Sequence, residues 1–261
     1  MKKIFGILSS IVAVFVFTSV AYAATTIEVT GNTSAGENQP GWMFGRDPSN
    51  ATPIEFNMDE ASIGQGSLYV SPLSSTVGAR KFIGENFINT AIADVNSISY
   101  DFQIGSGGNV SDANEFYMNV YANFGESNDL NFFDCRYQVI PVVGSTGGFT
   151  TVTFDPSLEY PVTPRLGSPH ACPAVPADMD MDSPGSNIRM FAINLGDQTL
   201  NDAGLDGYFD NVVTDLTSGV TIYDFDVSKE DCMQGGWMTL RTPSFSNQGD
   251  CVSFIASEGK S

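Results

Sequence analysis

Three successive segments of the chain alternate between apolar and polar residues, and that period of two calls for an antiparallel sheet with one buried face. In residues 97–104, Ile98, Tyr100, Phe102 and Ile104 share one face, with Ser99, Asp101 and Gln103 on the other. In residues 116–124, Phe116, Met118, Val120, Ala122 and Phe124 point inward and Tyr117, Asn119, Tyr121 and Asn123 outward. In residues 133–139, Phe133, Cys135, Tyr137 and Val139 oppose Asp134, Arg136 and Gln138. Turns rich in Gly, Asn, Ser and Asp separate the three, which reads as a meander. Shorter strands are expected at 25–30, 54–56, 67–70, 149–155, 188–195 and in the closing stretch 204–226. No apolar stripe at helical spacing persists for three turns, and no internal repeat is visible.

The ends of the chain are read separately. Lys2 and Lys3 precede an apolar run, and Ala21-Tyr22-Ala23 has the small-x-small form that signal peptidase needs, so residues 1–23 are expected to be a bacterial signal peptide. A mature chain from Ala24 is then secreted or held at the cell surface, with no membrane insertion after cleavage. Its charge sharpens from −19 for the whole chain to −21, from 9 basic and 30 acidic residues. That balance disfavours nucleic acid and anionic membrane, which need clustered Lys and Arg. It fits a neutral ligand, or an anionic one through a bridging cation. About 240 residues suffice for one large sandwich core.

Four cysteines in an exported chain point to disulfides, of which three pairings are possible. Cys232 with Cys251 closes a short local loop, and Cys135 with Cys172 ties a strand to a long loop; these are the favoured pairs. Zinc at Cys232 and Cys251 is the alternative, but no second Cys or His lies two to four residues from either. The long loop is 156–187, which holds seven of the 13 prolines and the one histidine, His170. A stretch of that length without regular pattern is a candidate functional segment.

Two landmarks carry a family resemblance. Gly207-Tyr208-Phe209-Asp210-Asn211-Val212-Val213 resembles the last strand of jelly-roll modules of the carbohydrate-binding and laminin-G-like, concanavalin-like kind. Gly64-Gln65-Gly66-Ser67-Leu68 is similar to the entry into an early strand of such modules. The resemblance implies an all-β, antiparallel β-sandwich of jelly-roll type spanning residues 24–226. It also implies a structural Ca²⁺ held by Asp210 and a first-strand acid, for which Glu28 is the nearest candidate. After Asp226, Cys232-Met233-Gln234-Gly235-Gly236-Trp237 and Phe245-Ser246-Asn247-Gln248-Gly249-Asp250-Cys251-Val252 resemble a short tail of exported bacterial proteins to which no activity attaches. Residues 227–261 are therefore read as a small disulfide-closed appendage with Trp237 and Phe245 as its core.

The outward face of the meander is the candidate binding surface. Tyr117 and Tyr121 offer ring faces for stacking on a pyranose, and Asn119, Asn123, Gln103, Gln138, Asp101 and Arg136 offer donors and acceptors for its hydroxyls. The opposing reading is a solvated sheet face on which Tyr serves cross-strand pairing. Catalysis has weaker support. Asp178-Met179-Asp180-Met181-Asp182 lacks the Gly of a calcium loop, having Ser183 there, and has Arg189 in place of its closing Glu. As the acid pair of a sandwich-fold glycosidase it lacks the Glu residues of the resembled enzymes. His170 is the only histidine and no Gly-x-Ser-x-Gly elbow exists, which disfavours a triad and excludes a three-histidine metal centre. The expected function is glycan binding without catalysis. An adhesive surface protein that binds another protein is the second reading, and a carboxylate-dependent glycan hydrolase or lyase the third.

Overall fold

A computed structural model describes residues 23–29, 42–44, 54–64, 66–70, 80–83, 90–125, 133–142, 146–196, 204–227, 229–238, 240 and 244–258. The proposed signal peptide, apart from its last residue, lies outside them. The strands are β1 Thr25–Val29, β2 Met43–Phe44, β3 Ile54–Asn57, β4 Ser67–Val70, β5 Arg80–Ile83, β6 Thr90–Ala91 and β7 Val95–Ile104. They continue with β8 Phe116–Asn123, β9 Cys135–Val139, β10 Thr150–Phe154, β11 Val162–Pro164, β12 Asn187–Leu195, β13 Gly207–Leu216 and β14 Gly219–Phe225. The described residues also form two α-helices, α1 Asp178–Asp182 and α2 Gln248–Glu258, and 3-10 turns at Ile92–Asp94, Val110–Glu115 and Met233–Met238.

Two sheets form a β-sandwich. In the first, β10 pairs β7 and β7 pairs β13; the far side of β13 is shared by β4, backed by β3, along its first half and by β14, backed by β1, along its second. The second runs β11-β9-β8-β12-β5-β2, with β6 also on β12. The described pairings are antiparallel except β1 with β14, which is parallel. That departs from a purely antiparallel expectation: the first strand runs alongside the last and closes the sheet edge.

The alternation read from sequence is what fills the core. Ile98, Tyr100, Phe102 and Ile104 of β7 and Phe116, Met118, Val120 and Ala122 of β8 are at most 5% exposed. Phe116 stacks on Phe102 at 4.9 Å and meets Phe209 of β13 at 5.5 Å, which locks the two sheets together. So tight is this contact that a Cβ on Gly207 would sit 2.2 Å from the Phe116 ring. Trp42 seats its indole edge-on against Phe225 at 4.9 Å and Tyr223 at 5.3 Å.

Three local expectations change. Phe133 leaves the core and packs with Tyr121 on the outer side, because the chain enters β9 irregularly and Asp134 takes the buried place, accepting from Phe124 N at 3.1 Å and Ser168 Oγ at 2.6 Å. The 156–187 stretch is ordered rather than structureless. Ala177 N donates to Pro156 O at 3.0 Å, β11 pairs β9, and Cys172 is bonded to Cys135. The tail, closed by Cys232–Cys251, contains the helix α2, whose Cys251, Phe254 and Ile255 repeat at helical spacing. Its core is larger than Trp237 and Phe245: Val227, Leu240 and Ile255 join them, and Phe56 and Met58 dock it against the sandwich.

Candidate functional site

Because the even-numbered residues of β8 fill the core, Tyr117, Asn119, Tyr121 and Asn123 line its other face. Register then sets their neighbours. Thr163, Arg136, Tyr121 and Met190 form one row across β11, β9, β8 and β12; Gln138, Asn119 and Ala192 form the next, and Tyr117 pairs with Asn194 beyond it. Six of the eight ligand candidates thus share a face. Gln103 does not: it lies on β7 in the other sheet, opposite Tyr208, as Asp101 lies opposite Asp210. Alternation reveals which residues of a strand point outward without revealing to which sheet the strand belongs. Met190, Ala192 and Asn194 are additions, and they were readable, since an inward Phe191, Ile193 and Leu195 leaves them facing outward.

Much of the face is buried, which the expectation of a solvated surface did not include. Exposure falls along each row, from the exposed Thr163 through the half-buried Arg136 and Gln138 to Tyr121 at 9%, Asn119 at 2% and Ala192 at 1%. The open edge therefore lies over β9 and β11, and the deep end over β12. Phe133, half-buried, meets Tyr121 edge-on at 4.9 Å and carries the Arg165 guanidinium 5.6 Å above its ring. At the deep end Asn194 donates to Ala192 O at 2.8 Å and Tyr117 O at 3.3 Å, which fixes its amide nitrogen and therefore the position of its oxygen. That oxygen, and Asn119 Oδ1 at the diagonal position, are buried and accept no hydrogen bond. Asn123 serves the backbone instead, its Oδ1 accepting from Gly125 N at 2.8 Å and shaping the turn after β8.

The first sheet carries a second polar cluster, around Asp210. A bulge at this point of β13 puts Asn211 at φ 47°, a left-handed conformation that Asn tolerates better than most residues. It turns the fully buried carboxylate toward four backbone donors: Asn211 N at 2.7 Å and Phe225 N at 3.2 Å on Oδ1, Ser62 N at 2.8 Å and Ile63 N at 3.0 Å on Oδ2. Burial pushes the Asp210 carboxyl up to about 6, with these N–H groups pulling the other way. Asp101 beside it accepts from Thr151 Oγ1 at 2.6 Å, Asn211 Nδ2 at 2.9 Å and the Ser62 hydroxyl. The four N–H groups satisfy the carboxylate within the protein itself. Among the described residues no group of three or more His, Cys, Asp or Glu is placed to hold a metal. Glu28 aligns with Asp224 across β1 and β14, and its side chain lies outside the described set.

The acidic run 178–182 is wound into α1, so its carboxylates do not alternate on one strand face as a glycosidase pair would. Asp180 Oδ2 accepts from Ala93 N at 2.8 Å and Met179 is fully buried, so α1 pins the long loop to the start of β7. His170 lies against Phe124 with ring centroids 4.4 Å apart. Among the described residues no helix is long and apolar enough to cross a membrane.

No protein-family model matches the chain, and no curated protein does. Among solved structures it is similar to a family 11 carbohydrate-binding module of the cellulosomal cellulase Lic26A-Cel5E of Clostridium thermocellum. There the TM-score is 0.43 at 12% identity, over 69% of this chain and 90% of the module. It is similar to the family 11 module from the same organism in complex with a β-1,3-1,4-mixed-linked tetrasaccharide, with a TM-score of 0.38 at 13% identity over 74% and 93%. A module of family 28, specific for non-crystalline cellulose, gives a TM-score of 0.31 at 14% identity over 76% and 99%.

Proposed function

We propose that this is an exported, non-catalytic protein that binds a neutral glycan on the outer face of β9, β8 and β12. The observation that carries the reading is the pair of buried amide oxygens, Asn119 Oδ1 and Asn194 Oδ1, that accept nothing from the protein. A buried acceptor without a donor is costly, roughly 1–3 kcal/mol each, and a ligand hydroxyl would repay it. Around these oxygens stand the other parts a sugar needs: the rings of Tyr121 and Phe133 for its C–H face, and Arg136 and Gln138 at the open edge as donors to its oxygens. Two disulfides and the sequence of residues 1–23 support an oxidising, extracytoplasmic location.

The test is retention of the oxidised protein on insoluble cellulose, mixed-linkage β-glucan, xylan and mannan, in calcium and again in chelator. At least one neutral polysaccharide retains it and releases no reducing sugar. Retention drops at least about 10-fold when Arg136 and Gln138 are both replaced by Ala, the equivalent of about 1.4 kcal/mol. Retention independent of those residues would sink the assignment of the face. Loss of retention in chelator would support the calcium expectation. Failure to bind any glycan would favour the protein-adhesion reading, for which the exposed Leu158, Leu166 and Met181 of the 156–187 segment are the relevant surface.

A further inference from the structure

The outer side of the first sheet carries a row of its own. Glu55, Tyr69, Tyr208 and Gln103 stand directly opposite one another across β3, β4, β13 and β7. At about 4.8 Å between strands, the row is roughly 14 Å long. Its middle is built rather than loose. The Tyr69 hydroxyl donates to Asp206 Oδ2 at 2.9 Å, while Gly107 N donates to Asp206 Oδ1 at 2.7 Å and holds that carboxylate in place. Tyr208 leans on the Tyr69 ring at 5.0 Å and is itself half-buried, so the Tyr69 ring supports the more accessible one. At the end of the row Gln103 is half-buried, yet its Oε1 is shut off from solvent and accepts no hydrogen bond.

We propose that this row is a second glycan-binding site, on the opposite face of the sandwich from the first. Gln103 Oε1 lacks the O–H donor that a sugar hydroxyl provides, and Tyr208 supplies a braced ring beside it. No Lys or Arg stands in the row and Glu55 bounds it, so the charge admits a neutral, hydroxyl-rich ligand and repels an anionic one. The inference rests on the reading of the protein as a glycan binder and extends it. Sites on opposite faces of one sandwich cannot be filled by one stretch of chain, so a single molecule bridges two polysaccharide strands.

Two readouts on the full oxidised chain test this, with soluble mixed-linkage β-glucan and its short oligosaccharides as probes. Titration with an oligosaccharide gives two sites per chain for the unaltered protein, and the long polymer is cross-linked and scatters light. Gln103→Leu and Tyr208→Ala, tested singly with the melting temperature followed, each reduce the count to one and abolish cross-linking while column retention survives. Gln103→Leu preserves volume and keeps the test valid if Tyr208→Ala folds poorly. A single site per chain that both variants leave intact overturns this inference alone. A protein that binds no glycan overturns it together with the proposed function.

Discussion

The two polar clusters on opposite sheets are built from similar parts and end in opposite states. At Asp210 the carboxylate oxygens are supplied with four backbone N–H groups, and the neighbouring Asp101 with two hydroxyls and an amide. At Asn119 and Asn194 the amide oxygens are equally buried and receive nothing. A buried polar group with every partner in place holds a structure together; one left short of a partner raises the free energy of the empty protein. The difference separates a cluster that ties the loop after β3 to β13 and β14 from a cluster that favours an arriving hydroxyl.

The largest test of that contrast is Asp210→Ala. Removing the carboxylate strands four donors, each worth roughly 1–3 kcal/mol when buried, so a loss of at least about 4 kcal/mol is expected. For a chain of this size that lowers the melting temperature by about 10 °C or more. Glycan retention by the fraction still folded stays near normal, since Asp210 is on the other sheet. A variant as stable as the parent, or one whose folded fraction no longer binds, would break the distinction.

A smaller effect follows from the same carboxyl's titration. Asp210 is raised from 3.8 in the unfolded chain to about 6 in the fold, with burial as its leading cause. Between those values the folded protein keeps a proton that the unfolded chain has released. The stability contributed by this group is therefore complete below 3.8, declines as pH climbs toward 6, and is level above it. The decline is on the order of 3 kcal/mol. Asp210→Asn cannot ionise, so denaturant unfolding across about pH 3.5–7 should show the parent losing stability relative to this variant as pH rises. Parallel curves for the two proteins would mean that Asp210 is already ionised throughout.

How much of this was legible depends on whether the signal was local. The strands β7, β8 and β9 and their inward residues follow from alternation alone, and both disulfides from the spacing and compartment of four cysteines. The Tyr117 face was readable for the same reason, and so were Met190, Ala192 and Asn194, had the alternation of β12 been carried to its outer side. What alternation lacks is sheet membership, which placed Gln103 among the wrong neighbours, and depth, which is why a largely buried face read as a solvated one. The network around Asp210 joins residues 148 positions apart through backbone N–H groups, which every residue but proline carries. α2 is hard to read from sequence because its apolar pattern, Cys251, Phe254 and Ile255, spans little more than one turn of the helix.

The most discriminating change is also the smallest in stability. Asn119→Leu is close to neutral in volume and replaces a buried, unpaired amide oxygen with methyl groups, next to Ala192 and within the apolar patch of Tyr121 and Met190. If the oxygen is unmet in the free protein, its removal leaves the melting temperature unchanged or raises it by up to about 3 °C, roughly 1 kcal/mol. Retention on the neutral polysaccharide should fall at the same time, because the ligand hydroxyl that paired with that oxygen now meets a surface that cannot accept it. A structural residue such as Asp210 loses stability while the folded fraction still binds, whereas a binding residue held at a cost loses function and gains stability. A variant that is destabilised by about 2 kcal/mol would show that Asn119 has partners within the protein, and would move it from the Asn194 side of the comparison to the Asp210 side.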